Sequence, residues 1–357
     1  MTGGLFSVKI IRMKHESMMH RCLELAGKGR GKTGINPMVG AVLVRDGRVI
    51  AEGFHSGFGK AHAELDLMQK TDQKIRSTDT LYVNLEPCCH EGKKTPPCAQ
   101  MLIKNGVKNI VIGMTDPNPA VAGKGIELLR LHGANVSVAP GTVADCLRLN
   151  RGFVSLMTKH RPWVTMQQAK TPEGEFAGPD GTFLKITTHT QDRWTHEFLR
   201  AKSDAVLIGI GTALMDNPHL TIRHLSASYQ PRRIVIDSRL RIPLEANLVS
   251  DESAPNTIII IKPGLPDDIC AVIPELRKRG VRVMEVTHHE KGIDFKALWE
   301  ALTTPAEGFH GISSILFEGG QQMWKAFREE KCIDEEAVLV GVPLEGSEQR
   351  KPLSPRY

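Results

Sequence analysis

The tripeptide His62-Ala63-Glu64, followed by Pro87-Cys88 and Pro97-Cys98, constrains this chain more than any other stretch. One imidazole and two thiols can share an ion only in a fold that gathers three separate segments. Local patterns put them at two helix starts and a strand end: a helix begins near Ala61, a strand spans 80–85, and a second helix is entered through Pro96-Pro97. Three protein ligands are a catalytic zinc inventory, because the fourth tetrahedral position stays open to water, whereas a structural site is closed by a fourth side chain. Water held there loses its proton far more readily than bulk water. Cys98 falls in the first turn of its helix, where the missing proline amide costs nothing and the positive helix end favours thiolate. Glu64 is placed to take a proton from the attacking water and pass it to a ring nitrogen and then to a departing amine.

H-x-E followed by P-C-x-x-C is the signature of zinc deaminases, with the glutamate as acid/base and not as a ligand. Here nine residues separate the two cysteines, and Cys89-His90-Glu91-Gly92-Lys93-Lys94-Thr95 forms a small basic loop suited to a phosphate. Two other readings stay open. Cys89 can replace Cys88 as ligand, and a structural knot of Cys88, Cys89, His90 and Cys98 would leave His62 and Glu64 without a role.

A chain of 357 residues is expected to form two domains. A helix at 15–28, strands at 39–44 and 49–54 around the turn Asp46-Gly47, a strand at 108–113, a helix at 123–131 and a strand at 135–138 complete the first. After Pro140-Gly141 a polar helix leads into Lys159-His160-Arg161-Pro162, and the strand pattern restarts at Trp163. Further strands are expected at 205–209, 233–237, 257–261, 281–286 and 314–318, with helices between several of them. The division is 1–145, a linker at 146–162, a second domain at 163–341 and a mostly unstructured polar tail at 342–357. Alternating strands and helices make both domains α/β.

Charge, aromatics and cysteines narrow the function. Lys plus Arg exceeds Asp plus Glu by 46 to 40, a surplus of +6 that suits anionic ligands but is modest for a nucleic-acid binder. Aromatic residues make up only 5%, few for stacking bases. No apolar run is long enough to span a bilayer. The opening stretch MTGGLFSVKIIRMKH is interrupted by Lys9 and Arg12 and reads as a loose extension or an early start codon. Of seven cysteines, three crowd between 88 and 98, which points to metal binding in a reducing cytoplasm and away from a disulfide framework.

The motifs NPMVGAVLV at 36–44, HAE at 62–64, LEPCCHEGKKTPPC at 85–98 and DPNPAVAGKG at 116–125 resemble the bifunctional deaminase-reductase family of riboflavin biosynthesis. The likeness runs from about 16 to about 340 and continues in IGIGTALMDNPHLTIR at 208–223, IVIDSRLRIP at 234–243 and FEGGQQM at 317–323. It implies a cytidine-deaminase-like three-layer α/β/α domain followed by an α/β domain like dihydrofolate reductase. The first would remove the 2-amino group of a diaminopyrimidinone carrying a ribosylamino phosphate, with Asn36, His55, Lys93, Asp116 and Asn118 as substrate contacts. The second would reduce the ribosyl chain with NADPH, which Ala169, Thr212, Asp216, Ser238 and Gly320 would touch, while Arg200, Leu220, Arg223 and Glu318 face the substrate. Read locally, Asp116-Pro117-Asn118-Pro119 is a good turn, and Glu318-Gly319-Gly320 closes a strand and opens a helix whose free amides can receive a phosphate.

The chain departs from the family at Gln167, at Thr171-Pro172-Glu173-Gly174 and at Lys185, carries Lys93 and Lys94 where the family has one basic residue, and stops before the family's final strands. Two alternatives therefore accompany the bifunctional reading: a deaminase whose second domain only stabilises an oligomer, and a nucleotide or tRNA deaminase sharing HAE and the cysteine pair. The bifunctional reading implies a small phosphorylated pyrimidine as partner, no nucleic acid or membrane, a cytoplasmic location and, by analogy, a homo-oligomer.

Overall fold

The computed structural model describes residues 3–89, 97–119, 121–174, 186–290, 292–341 and 353–356. Contacts divide the chain into two units, Met1–His160 and Arg161–Tyr357, each with its own hydrophobic core. Among the described residues no helix is long and apolar enough to cross a membrane.

In the first unit, helix α1 (Gly3–Gly27) precedes a hairpin of β1 (Gly40–Arg45) and β2 (Arg48–Phe54), whose turn residues Asp46 and Gly47 have positive φ of 50° and 77°. There follow α2 (Ala63–Gln69), β3 (Thr80–Val83), α3 (Cys98–Lys104), β4 (Asn109–Ile112), α4 (Lys124–Leu131), β5 (Asn135–Val138), α5 (Val143–Leu149) and α6 (Arg151–Lys159). The sheet order is β2-β1-β3-β4-β5, antiparallel up to β3 and parallel beyond it. Two glycines reveal its layers. Gly40 pairs with Phe54, so Gly53 points to the opposite face. A β-carbon on Gly40 would lie 2.1 Å from the Cys22 carbonyl oxygen of α1, and one on Gly53 would lie 2.4 Å from the Ala63 carbonyl oxygen of α2. Helices thus cover both faces, the three-layer arrangement expected.

Two sequence readings change here. The opening stretch, expected as a loose extension, is part of α1, a continuation that its run of residues 5–26 without glycine or proline permits. The interval 146–162, read as a linker, holds most of α5 and all of α6. Between them Asn150 accepts the Met38 amide at 2.8 Å and donates to the Met38 carbonyl at 2.9 Å, fixing this interval to the segment before β1.

The second unit runs β6 (Trp163–Lys170), α7 (His189–Trp194), β7 (Ala205–Gly209), α8 (Ile210–Asp216), β8 (Arg232–Ile236), α9 (Asn247–Ser250), β9 (Thr257–Ile261), α10 (Asp267–Cys270), α11 (Ile273–Lys278) and β10 (Arg282–Glu285). It continues with a short pair, β11 (His288–His289) and β12 (Gly292–Ile293), then α12 (Phe295–Thr303), β13 (Ser314–Gly319), α13 (Gln321–Glu329) and β14 (Glu335–Val340). Its seven-stranded sheet has the order β10-β9-β8-β7-β13-β6-β14 and is parallel throughout. Alternate residues of the central strands feed two cores: Ile234, Ile236, Ile258 and Ile260 pack into one, Val235, Ile259 and Ile261 into the other.

Strand β14 was not expected from sequence. Its start, Glu335-Glu336, reads as polar chain, yet Asp334, whose side chain is 1% exposed, accepts from Arg161 at 2.6 and 2.9 Å and from the Val164 amide at 2.8 Å, locking its entry beside β6. Residues 342–352 of the tail lie outside the described residues. The tail was read as mostly unstructured, but 353–356 is tied to the unit: the Leu353 amide donates to the Leu214 carbonyl at 2.7 Å and the Arg356 amide to the Arg241 carbonyl at 2.9 Å.

Candidate active sites

His62 is the residue before α2, Glu64 lies in that helix's first turn, and Cys98 is the first residue of α3. Cys88 follows β3. The ligand atoms of His62, Cys88 and Cys98 all lie within 4.8 Å of one another, and no other such group occurs among the described residues. His62 Nδ1 is 3.6 Å from Cys88 Sγ and 3.3 Å from Cys98 Sγ. Ordinary zinc–nitrogen and zinc–sulfur bonds at the tetrahedral angle put such atoms roughly 3.6 Å apart, close to both observed separations, so the set fits this ion. Cys89 instead packs against the hydrophobic core, and burial raises its thiol.

The charges are arranged for a cation. The Cys98 thiol and backbone amide both donate toward Cys88, and with His62 they pull the Cys88 thiol well below its ordinary range. Cys98 is pushed up by the hydrogen bond its thiol gives to Cys88 and then by burial. Glu64 is 3% exposed, and burial, followed by the charge on Cys88, raises its carboxyl to about 7. The thiols need a cation to lose both protons. The glutamate is held ready to carry one.

Around this centre, His55 is buried, its ring 5.7 Å from that of His62, and its Nδ1–H donates to the Ala61 carbonyl at 2.9 Å. Asn36 lies in the turn before β1, and the neighbouring Met38 is gripped by Asn84 and Asn150. Asp116 and Asn118 follow β4, where Asp116 accepts the Asn118 amide at 2.9 Å. Because β3 and β4 are parallel, the Cys88 and Asp116 segments leave the same edge of the sheet. Lys93, with the rest of 90–96, lies outside the described residues.

In the second unit the expected residues collect at the carboxyl edge of the parallel sheet, where ligands of such sheets bind. Ala169 is near the end of β6, Thr212 and Asp216 follow β7 in α8, Ser238 follows β8, Glu318 is near the end of β13, and Gly320 is the residue before α13. Chain order reverses between neighbours β7 and β13, and there a β-carbon on Gly319 would lie 3.2 Å from Thr212 Oγ1. Gly320 has φ 104°, open to glycine and strained for other residues. Arg200 donates to both carboxylate oxygens of Glu318 at 2.6 Å and to the Thr221 carbonyl at 2.9 Å. Leu220, buried, has φ 52°, a backbone outlier of the kind that gathers at ligand sites.

Two family models match. Residues 12–114 match the cytidine and deoxycytidylate deaminase zinc-binding region, and residues 162–356 match the RibD C-terminal domain. The riboflavin biosynthesis protein RibD of Aquifex aeolicus is 34% identical over 337 residues, covering 94% of this chain and 89% of that one. The Escherichia coli RibD is 34% identical over 345 residues, covering 95% and 90%. Among solved structures, Acinetobacter baumannii RibD superposes with a TM-score of 0.75 at 31% identity, covering 97% of this chain and 92% of that one. A Thermotoga maritima diaminohydroxyphosphoribosylaminopyrimidine deaminase/5-amino-6-(5-phosphoribosylamino)uracil reductase does so with 0.74 at 32%, covering 96% and 90%.

The chain belongs to the RibD family. Like its RibD relatives it is a bifunctional enzyme of riboflavin biosynthesis, with a zinc-binding deaminase domain and a reductase domain in one chain. Of the departures from the RibD pattern, Gln167 lies on β6 opposite Ala337, Thr171 to Gly174 close a turn through a 3.0 Å backbone bond, and Lys185 lies outside the described residues.

Two residues escaped the sequence reading. His196 is buried, and burial followed by the charges of Arg200 and Arg223 pulls its ring down to about 3. Its Nδ1 accepts the Arg223 amide at 3.0 Å and its Nε2 lies 3.3 Å from Arg200 Nη1, so it holds the Arg223 backbone and stands beside Arg200, two of the expected substrate contacts. Its four-residue spacing from Arg200 was the available signal, though here that stretch carries a π-turn at Thr195–Leu199. Glu86, beside Pro87-Cys88, is the other.

Proposed function

We propose that the first unit hydrolyses the 2-amino group of a 2,5-diamino-6-ribosylaminopyrimidinone 5'-phosphate and that the second reduces the ribosyl chain of the product to ribityl with NADPH. The convergence of His62, Cys88 and Cys98 around buried Glu64 carries the deaminase half. Zinc, when bound by those three, acidifies water at its open position and so supplies the nucleophile. Glu64 would carry one proton of the water to the ring nitrogen as the oxygen adds to C2, and then the remaining hydroxyl proton of the adduct to the amine, which leaves as ammonia as the C2 carbonyl forms. His55, fixed in one tautomer by the Ala61 carbonyl, and Asn36, Asp116 and Asn118 bind and orient the pyrimidine and ribose, while Lys93 meets the phosphate.

In the second unit NADPH, when bound, supplies the hydride. Ala169, Thr212, Asp216, Ser238 and Gly320 would hold it along the carboxyl edge of the sheet, where the free amides after Gly319–Gly320 can receive a phosphate. Arg200, kept by Glu318 in a two-point ion pair, stands with Leu220 and Arg223 on the substrate side. Met1–His160 serves as the deaminase unit and Arg161–Tyr357 as the reductase unit. The seven cysteines are free, which suits a cytoplasmic enzyme, and a homo-oligomer is the expected assembly. A coupled assay tests the whole: the purified chain should release ammonia from the diaminopyrimidinone phosphate and then oxidise NADPH. Ammonia release with no NADPH oxidation under any condition would favour a second unit that serves only assembly.

A further inference from the structure

Glu86, 3% exposed, spends its carboxylate entirely on backbone amides of one distant loop. Oε2 accepts from Asp116 and Gly123, each at 3.0 Å, and Oε1 accepts from Gly125 at 2.9 Å and Ile126 at 3.2 Å. Four bonds saturate an ionised carboxylate. Gly125 and Ile126 are in the first turn of α4, where amides lack helical partners, so without Glu86 they would be buried and unpaired. The Glu86 amide in turn donates to the Met114 carbonyl at 2.9 Å, just ahead of the same loop. Two residues further along its own segment stands Cys88. One carboxylate therefore joins the segment that carries a zinc ligand to both ends of the loop that carries Asp116 and Asn118.

We propose that Glu86 is a positioning residue of the deaminase, setting the Asp116–Asn118 turn at a fixed place relative to the zinc-ligand segment so that substrate is held over the reacting centre. The proposal rests on the reading of Asp116 and Asn118 as substrate contacts. Glu86 touches neither substrate nor metal ligand side chains, so its loss should be felt in substrate binding and not in zinc content or proton transfer. An amide is the informative replacement: it keeps shape but turns an acceptor oxygen into a donor facing two backbone N–H groups.

Full-length Glu86→Gln should keep one equivalent of zinc and undiminished NADPH oxidation with the deaminated substrate, while its deaminase KM rises about tenfold and kcat changes little. Glu86→Asp, which keeps two acceptor oxygens on a shorter arm, should recover part of the loss. An unchanged KM, or loss of zinc, overturns the proposal. Asn118→Ala run in parallel separates the two layers. If it leaves KM unaltered, the substrate-loop reading has failed; if it raises KM while Glu86→Gln does not, the role of Glu86 alone has failed. Should Glu86→Gln not be recovered as folded protein, Gly125→Ala is read by the same criteria, because its β-carbon would lie 2.2 Å from the Pro87 carbonyl oxygen and force the same seam apart.

Discussion

Glu64 is held where its own charge is disfavoured, and that is what fits it to trade protons. Burial, followed by the charge on Cys88, raises its carboxyl, and the burial persists when a metal takes up the thiolate charge. Glu64→Gln keeps the shape and removes the base; it should retain zinc while ammonia release falls by roughly 10²–10⁴. Turnover retained in a colorimetric ammonia assay would remove Glu64 from the acid/base role. His196 presents the opposite case. Its folded-state ring titrates at about 3, pulled down by burial and then by Arg200, Arg223 and His224, whereas an unfolded histidine titrates near its ordinary value. The unfolded chain therefore takes up the proton first, and the stability tied to neutral His196 is whole above that ordinary value and is lost as pH falls toward 3. Urea midpoints measured from pH 7 downward should fall more steeply for the native chain than for His196→Gln; parallel curves would show that His196 carries none of the slope. The spacing of HAE, PCC and PPC made the zinc ligands legible in sequence because metal chemistry demands particular side chains. Glu86 escaped because its partners are backbone amides of a distant loop, and His196 because its bond runs to the Arg223 backbone amide, while its spacing from Arg200 alone does not mark a buried ring.

At the scale of elements, legibility followed burial. Strands such as β9, Thr257–Ile261, are apolar on both faces and stood out within a residue of their true bounds, as did the Asp46-Gly47 hairpin. The edge strand β14 has exposed and half-buried residues in alternation and opens with two glutamates, so only its pairing with β6 defines it. The junction of β13 and α13 shows how an element boundary carries function. Gly320 has φ 104° and ψ 104°, a region that side chains enter only at a cost of about 1–3 kcal/mol. Its neighbour Gly319 leaves just enough room for Thr212. Gly320→Val should therefore raise the KM for NADPH about tenfold or more, leaving ammonia release intact. Initial rates over a range of cofactor concentrations check this, and an unaltered KM would take the turn out of the cofactor site.

For the whole molecule, the division of labour follows the division of the chain. All three zinc ligands and Glu64 belong to Met1–His160, whereas every residue expected to meet NADPH belongs to Arg161–Tyr357. The first unit also buries a core of its own, built from residues such as Leu43, Leu67, Leu81, Leu102 and Leu129, that does not include the ligand sulfurs. Removing the metal should then cost the site but not the fold around it, unlike small domains that are unfolded without zinc. Dialysis against a strong chelator should abolish ammonia release and lower the first unit's melting temperature while a cooperative transition persists, and NADPH oxidation with deaminated substrate should continue at its former rate. Restoring one equivalent of zinc should bring deamination back. If NADPH oxidation disappeared with the metal and returned with it, the two units would have to be coupled in a way that their separate cores and separate residue sets do not require.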